Sequence, residues 1–344
     1  MLDPAQPIAL FTEGTMGKIN AKMAEGILRY GRNPVVAVID STQAGKRVRD
    51  LTPIASDVPV VATLTEAQAL GAEVLVLGTA PSGGRLPPEW VAVLDQAIDT
   101  GMSLVNGMHD RLQPRFADRL RAGQWVWDLR VPQGDAPPIA MARAANLNNR
   151  RVLMVGTDMA IGKMTAGLEL TRSLRELGRD AEFLATGQTG IAITGRGIPL
   201  DAIRVDHAGG AVERMVLEAA AHEIVVIEGQ GSLLHPGSTA TLPLMRGSCA
   251  THLILCHRAG MQTLDELEQV RIPPLREVIA LNEAMARAAG ALTPAPVVAI
   301  ALNTARLSAA ESEAAVKAVE DDTGLPATDP VRYGAEKLAR AVTA

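Results

Sequence analysis

The stretch RVLMVGTDMAIGKMTAGLELTRSLRELG, residues 151–178, decides the fold. After Arg151 comes the apolar run 152–156, its middle is a glycine-bounded turn, and a helical pattern begins at Lys163. Strand, turn and helix in that order are what a phosphate-binding loop needs. Glycines let the backbone curl so that several N–H groups face one anion, and the helix N-terminus adds partial positive charge. Lys163 supplies a full charge on a flexible stem. We read Gly156, Thr157, Asp158, Met159, Ala160, Ile161, Gly162, Lys163, Met164 and Thr165 as the segment that binds phosphate groups of a nucleotide-containing ligand. The spacing departs from GxxxxGK[ST]. Thr157 stands where the first glycine is expected, and Gly156 comes one residue early. Met164 replaces the hydroxyl residue that would hold Mg²⁺, with Thr165 one place late. Phosphate binding survives these changes, whereas Mg-dependent nucleotide hydrolysis is weakened. The bland alternative is a glycine-rich turn with a solvated lysine.

Outward from this turn, the chain alternates apolar runs with amphipathic stretches. Downstream come AEFLAT (181–186), EIVVIEG (223–229), HLILCH (252–257) and VVAIALN (297–303). Upstream come PIALF (7–11), VVAVID (35–40), EVLVLG (73–78), MSLVNG (102–107) and WVWDLRV (125–131), with helical stretches near 17–30, 88–100 and 111–122. Continuous apolar strands separated by helices predict an α/β protein with mostly parallel sheets covered on both faces. The segment PQGDAPP (132–138) cannot continue a helix and reads as a linker, dividing the chain into domains 1–138 and 139–344.

At 344 residues the chain holds two ordinary domains. Aromatics are only 2 %, so aliphatic side chains and 13 Met must fill the cores. A net charge of −5 gives no general attraction to nucleic acid or an anionic membrane, so an anionic ligand needs local donors. The N-terminal residues lack a secretory pattern, and no apolar run reaches the roughly 18 residues of a membrane span. The two cysteines, Cys249 and Cys256, make neither a disulfide framework nor a zinc site, and no metal is expected. A cytoplasmic enzyme is the expectation.

Several polar groups fall at expected strand ends, where α/β ligands collect. Glu228 follows EIVVI and is a candidate general base, a cation ligand, or a cap for the next turn. His235, in GSLLHPG, is a candidate acid or base, or a surface histidine. TGQTGIAITGRG (186–197) reads as a loop and offers Gln188, Thr189 and Arg196 to a polar or anionic ligand. Cys256-His257 suggests a thiol nucleophile, but neighbouring strand residues face opposite ways. In the first domain, EGTMGK (13–18) followed by Asp40 echoes a dinucleotide fingerprint without its GxGxxG spacing. GTAPSGGRLPP (78–88) and NGMHDR (106–111) bring Arg85, His109 and Asp110 to the same edge. Arg332, in TGLPATDPVRYG, either pairs with a ligand carboxylate or staples the tail.

Two resemblances extend this reading. The turn, with Glu228-Gly229-x-Gly231, is similar to dethiobiotin synthetase, a P-loop enzyme whose lysine is followed by Thr or Ser rather than Met. AEGILRYG, VIDSTQAGK, LGTAPSGGRLPPEW, GTDMAIGKMT, ATGQTGIAI, IEGQGSLLHP and TDPVRYG, spread over nearly the whole chain, resemble the DgcN-type D-glutamate N-acetyltransferases. That resemblance implies a Rossmann-like N-terminal domain before a P-loop NTPase-like one, with Met after the lysine as a family trait. It implies acetyl transfer from acetyl-CoA to the amine of D-glutamate, in a catabolic route continued by an enolase-like N-acetyl amino-acid racemase. A homo-oligomer is the expected assembly.

The chemistry is compatible with this family. Coenzyme A carries phosphates that suit a P-loop without its metal-binding hydroxyl. Amine acetylation needs a base, Glu228 or His235, and donors for an oxyanion, which N–H groups around 229–232 can supply. A diacid needs cations, for which Arg196, Arg246 and Arg332 are the candidates. The alternatives are an ATP-dependent ligase or kinase of dethiobiotin-synthetase type and a non-catalytic nucleotide-binding protein.

Overall fold

The computed structural model describes residues 2–79 and 81–344, with Ile19 and Ser82 described by backbone alone. Ala80, within the sequence loop 78–88, lies outside the described residues. The chain divides into two compact units, Met1–Pro132 with Gln188–Ala202, and Gln133–Gly187 with Ile203–Ala344. The sequence reading cuts the chain once, after residue 138; by packing, 188–202 goes with the first unit.

The first unit is a six-stranded parallel sheet of β1 (Ile8–Phe11), β2 (Val35–Ile39), β3 (Val60–Val61), β4 (Val74–Leu77), β5 (Ser103–Asn106) and β6 (Val126–Asp128). Its order, β3-β2-β1-β4-β5-β6, is that of a Rossmann-like doubly wound fold. Strands β1, β4 and β5 are buried on both faces, which is why β1 and β4 read as unbroken apolar runs. The few aromatics are concentrated where they bury most, with Phe11 and Trp90 meeting edge to face at 5.1 Å. The first helix starts at Lys22, later than the sequence predicts. Gly17 takes φ +80° against the Leu51 carbonyl, a left-handed turn that no helix can include.

TGQTGIAITGRG is largely helix, Gln188–Thr194, and not the predicted loop. Its glycines and threonines are poor helix formers, but burial of Ile191, Ala192 and Ile193 outweighs that preference. This helix packs on Lys22–Tyr30 of the same unit.

The second unit is a parallel sheet of β7 (Arg150–Gly156), β8 (Ala181–Leu184), β9 (Ile224–Ile227), β10 (His252–Arg258), and two further strands. Between these lies a hairpin the sequence did not announce, β11 (Thr263–Leu264) and β12 (Leu267–Arg271), turning through Glu266 at φ 62°. Strands β13 (Val297–Asn303) and β14 (Ala327–Thr328) complete the order β14-β13-β10-β7-β9-β8. The P-loop strand β7 is central, and the chain leaves it toward β8 while β10 continues toward β13 on the other side. That divergence opens a crevice at Gly156, where α/β ligands bind. No helix among the described residues is long and apolar enough to cross a membrane.

Two buried charges hold the base of this unit. Arg151 donates to the carbonyls of Cys249, Leu147 and Asn149, closing the sheet edge opposite the crevice. Glu213, fully buried, accepts from the backbone N–H of Met141 and of Arg143 and pairs with the Arg143 guanidinium. Glu213→Ala strands those donors and is expected to cost on the order of 3 kcal/mol. Urea denaturation should show that loss, and an unchanged midpoint would mean that the 138–143 segment is not held by this carboxylate.

Candidate phosphate site

The turn after β7 is shaped by missing side chains. A Cβ on Gly156 would lie 2.8 Å from Ile161 Cδ1 and 3.2 Å from Lys163 Cδ, so only glycine lets Ile161 and Lys163 fold back over the strand. Gly162 takes φ +109° and is the residue from which the helix Lys163–Glu176 starts. A Cβ on Gly229 would fall 1.7 Å from the Met154 carbonyl oxygen and 2.9 Å from Lys163 Cδ. The lysine stem therefore lies in a groove floored by Gly156 and walled by Gly229.

Lys163 is buried, and Nζ donates to the Asp158 carbonyl at 2.5 Å. Burial lowers its pKa to about 8, while Cys256, Asp158 and Glu228 work the other way. The N–H groups of Ala160, Ile161 and Gly162 have no acceptor among the described residues. Orphan N–H groups, a helix N-terminus and a buried ammonium are together the donors that an oxyanion would need.

The turn is tied from outside. Asn303 Nδ2 donates to the Ile161 carbonyl at 3.1 Å, and Arg258 to that of Ala160 at 3.2 Å. Arg258 also pairs with Asp265, whose own N–H donates to Asp158 Oδ2 at 2.8 Å. The hairpin thus latches the turn through Asp158. Met159 and Ala160 are exposed at the apex. Met164 and Thr165, both half-buried, follow in the first helical turn; successive residues there point about 100° apart, so Thr165 does not take over the position of Met164.

Glu228 stands beyond the end of β9 with its carboxylate buried. Its Oε2 accepts from the N–H of Thr186 at 2.7 Å and of Gly187 at 3.1 Å. Burial pushes its pKa up to about 7, opposed by those two bonds and by Lys163. Of its sequence readings, the cap is what its contacts display, although the turn it caps follows β8. His235 is half-buried, and its Nδ1 accepts from the Gly237 N–H within its own loop. Ser232 is likewise turned onto that loop, accepting from Leu234 N–H.

The proposed diacid residues are scattered. Gln188 and Thr189 open the helix Gln188–Thr194, and Arg196 is exposed just after it, all in the first unit. Arg246 is exposed in the last turn of Thr241–Ser248, which runs back to the start of β10, at the sheet edge opposite the turn. Crossover helices run antiparallel to their strands, so the structure does not bring Arg246 to the phosphate site. Arg332 donates to the carbonyls of Thr304 and Leu307, the tail-stapling alternative. Asp40 is fully buried, its oxygens accepting from Met16 N–H and from Thr42, so it has no face for a ribose. Cys256 is sealed, its thiol pushed up to about 12 by burial, which removes it as a nucleophile.

His257 is a site residue that the sequence offered only as a partner for Cys256. Parallel pairing sets Cys256 beside Gly156, and the next residue, His257, shares a 3.0 Å hydrogen bond between Nδ1 and the Thr157 hydroxyl. Its place directly after a strand-end cysteine was visible, but its partner lies 100 residues away. Burial, then Arg258, depresses its pKa to about 4, so it is neutral under the turn.

As pH falls, the unfolded chain protonates this histidine first, near 6.5. The stability it contributes is complete above about 6.5 and drains away toward pH 4. Glu228 has the opposite slope, since its folded pKa is raised. Relative to His257→Asn, the wild type should therefore lose about 2 kcal/mol of advantage between pH 7 and pH 5. Denaturant titrations of both proteins at the two pH values measure this, and a constant gap would reject a depressed His257.

Comparison with known proteins agrees with these two folds. Residues 138–339 match the P-loop domain of the domain-of-unknown-function family DUF1611, and residues 41–132 match its Rossmann-like N-terminal domain. A crystal structure of a DUF1611 family protein from Anabaena variabilis superimposes with a TM-score of 0.95 at 46 % identity, covering 98 % of this chain and 99 % of that one. A protein of Tritonibacter scottomollicae named D-glutamate N-acetyltransferase is 36 % identical over 98 % of both chains. Another of that name, from a Pseudoalteromonas species, is 33 % identical over 80 % of this chain and 83 % of its own. With its Rossmann-like unit, its glycine turn and near-full-length relatives, the chain belongs to the DUF1611 family.

Proposed function

We propose that this protein is an N-acetyltransferase that moves the acetyl group of acetyl-CoA to the amine of an acidic amino acid, D-glutamate first. The observation that carries this reading is the end-to-end similarity to a relative of that name. The oxyanion site at the turn supports it, because coenzyme A offers a pyrophosphate that Lys163 and the orphan N–H groups fit. Met164 has no oxygen to give a metal, and acetyl transfer requires no phosphoryl chemistry.

In the reaction the amine loses a proton, its nitrogen bonds to the acetyl carbon, and the carbon–sulfur bond breaks to release the thiol of coenzyme A. The N-acetyl product then suits an enolase-like racemase as the next step. The pKa of Glu228, near 7, is the value a general base needs at neutral pH. A second role follows from its place beside Lys163. The pantetheine arm is on the order of 15 Å long when extended. An arm that runs away from the turn leaves Glu228 as charge partner of the phosphate site, and only one that folds back brings the amine to it.

Turnover is expected to rise with pH as Glu228 loses its proton near 7 and to fall as Lys163 loses its own near 8. Glu228→Gln should erase the acid limb and lower turnover by about a hundredfold if Glu228 takes the amine proton. A raised KM for acetyl-CoA with unchanged kcat would instead mark the charge partner. The assay follows coenzyme A release and N-acetylglutamate by mass spectrometry. No product from acetyl-CoA, with thermal stabilisation by Mg-ATP alone, would favour the ligase.

A further inference from the structure

The acetyl-transfer reading leaves unused a group of cationic side chains at the carboxyl edge of the first sheet. Strands β4 and β5 are parallel neighbours, so the segments that follow them lie side by side. The two are laced together. His109 N–H donates to the Gly84 carbonyl at 2.9 Å, and Leu86 N–H donates to Asp110 Oδ2 at 2.7 Å. Arg85 Nη1 reaches Asp110 Oδ1 at 2.9 Å, and Asn106 Nδ2 holds the Asp110 carbonyl at 2.7 Å. Gly84, at φ +64°, is where the His109 ring rests; a Cβ there would lie 2.5 Å from Cδ2. Asp110 is thus consumed in joining the segments, and what it leaves facing outward is the far edge of the Arg85 guanidinium.

Arg130, just beyond β6, comes to the same edge. Nε donates to the Gly107 carbonyl at 2.8 Å, and Nη1 pairs with Asp201. Its side chain is only 16 % exposed, so the guanidinium is held rigidly. Arg85 Nε and Nη2, Arg130 Nη2 and both His109 ring nitrogens have no acceptor among the described residues.

We infer that Arg85, His109 and Arg130 form a carboxylate-binding platform that reads the side-chain carboxylate of the acidic amino acid. The inference rests on the proposed acceptor being such an amino acid. Planar guanidinium edges match a planar carboxylate, and each arginine, although paired with one acidic partner, keeps N–H donors open for a second acceptor. The local potential agrees: burial, then Arg130 and Arg85, lower the His109 pKa, against a raising effect of Asp110. A bound carboxylate would offset the two arginines and return a proton to the ring.

The test uses the full chain carrying ¹³C-labelled histidine, with His109→Gln to assign the signal. Saturating D-glutamate is expected to raise the His109 pKa by about one unit, and D-glutamine, which lacks the second carboxylate, to do so far less. Arg85 is 77 % exposed, so Arg85→Ala should fold normally and raise KM for D-glutamate about tenfold or more, with kcat and KM for acetyl-CoA unchanged. If the wild type acetylates D-glutamate while the His109 signal and the Arg85→Ala KM do not move, the platform is refuted and the transferase reading stands. If D-glutamate shifts His109 in a protein that transfers no acetyl group, the platform stands and that reading falls.

Discussion

An ammonium and a carboxylate taken out of water together cost several kcal/mol each unless every lone pair and proton finds a partner. Lys163 and Glu228 meet that demand by organising their surroundings. The lysine reaches the Asp158 carbonyl, and the carboxylate gathers the N–H groups of Thr186 and Gly187. Gly156, Gly229 and Gly187 are where a side chain would collide with one of these two residues or with its neighbours. The carboxyl ends of the neighbouring strands β8, β9 and β7, already paired through their ladders, are thereby linked by one pair of charges as well. The glycine pattern of the second unit follows from the space that this pair and its neighbours occupy.

The tying of the turn from outside follows the same constraint. A loop that exposes N–H groups inward must turn its carbonyls outward, and those need donors. Asn303 and Arg258 supply them from β13 and β10, and Asp265 brings the hairpin into register with Asp158. The neutral His257 under Thr157 keeps a further charge from crowding Lys163. Preorganisation of this kind favours a ligand with fixed negative charge and holds the donors in place before it arrives.

The first unit uses the same fold logic for a different end. Its glycine turn at 13–18 and its strand-end acid Asp40 stand where a dinucleotide would be gripped. The acid, however, is spent on Met16 and Thr42, and the turn is closed by Thr15 bonding to Thr79. The polar groups left open on that edge are arginines and a histidine. Two six-stranded parallel sheets, differing in strand order, thus present unlike chemistry through the side chains at their carboxyl ends.

The sequence by itself determined the two parallel sheets, since buried strands between helices must be continuously apolar, and it located the glycine turn after β7, whose glycines and lysine are close together in the chain. Strand-end placement also brought Glu228 and the Arg85–His109–Asp110 group to the correct edges. Tertiary structure alone decided which of these groups remain available. The partner of His257 is Thr157, 100 residues away, and the partners of Glu228 are backbone groups about 40 residues upstream. The short strands Val60–Val61 and Ala327–Thr328, and the hairpin around Glu266, carry too few residues for a periodic signal. The helix Gln188–Thr194 has a composition that argues against helix, and it forms because burying its isoleucines on a neighbouring helix is worth more than its local preference. A local pattern fixes where a side chain can stand; whether it is free to act depends on hydrogen-bond donors and acceptors that only folding brings within reach.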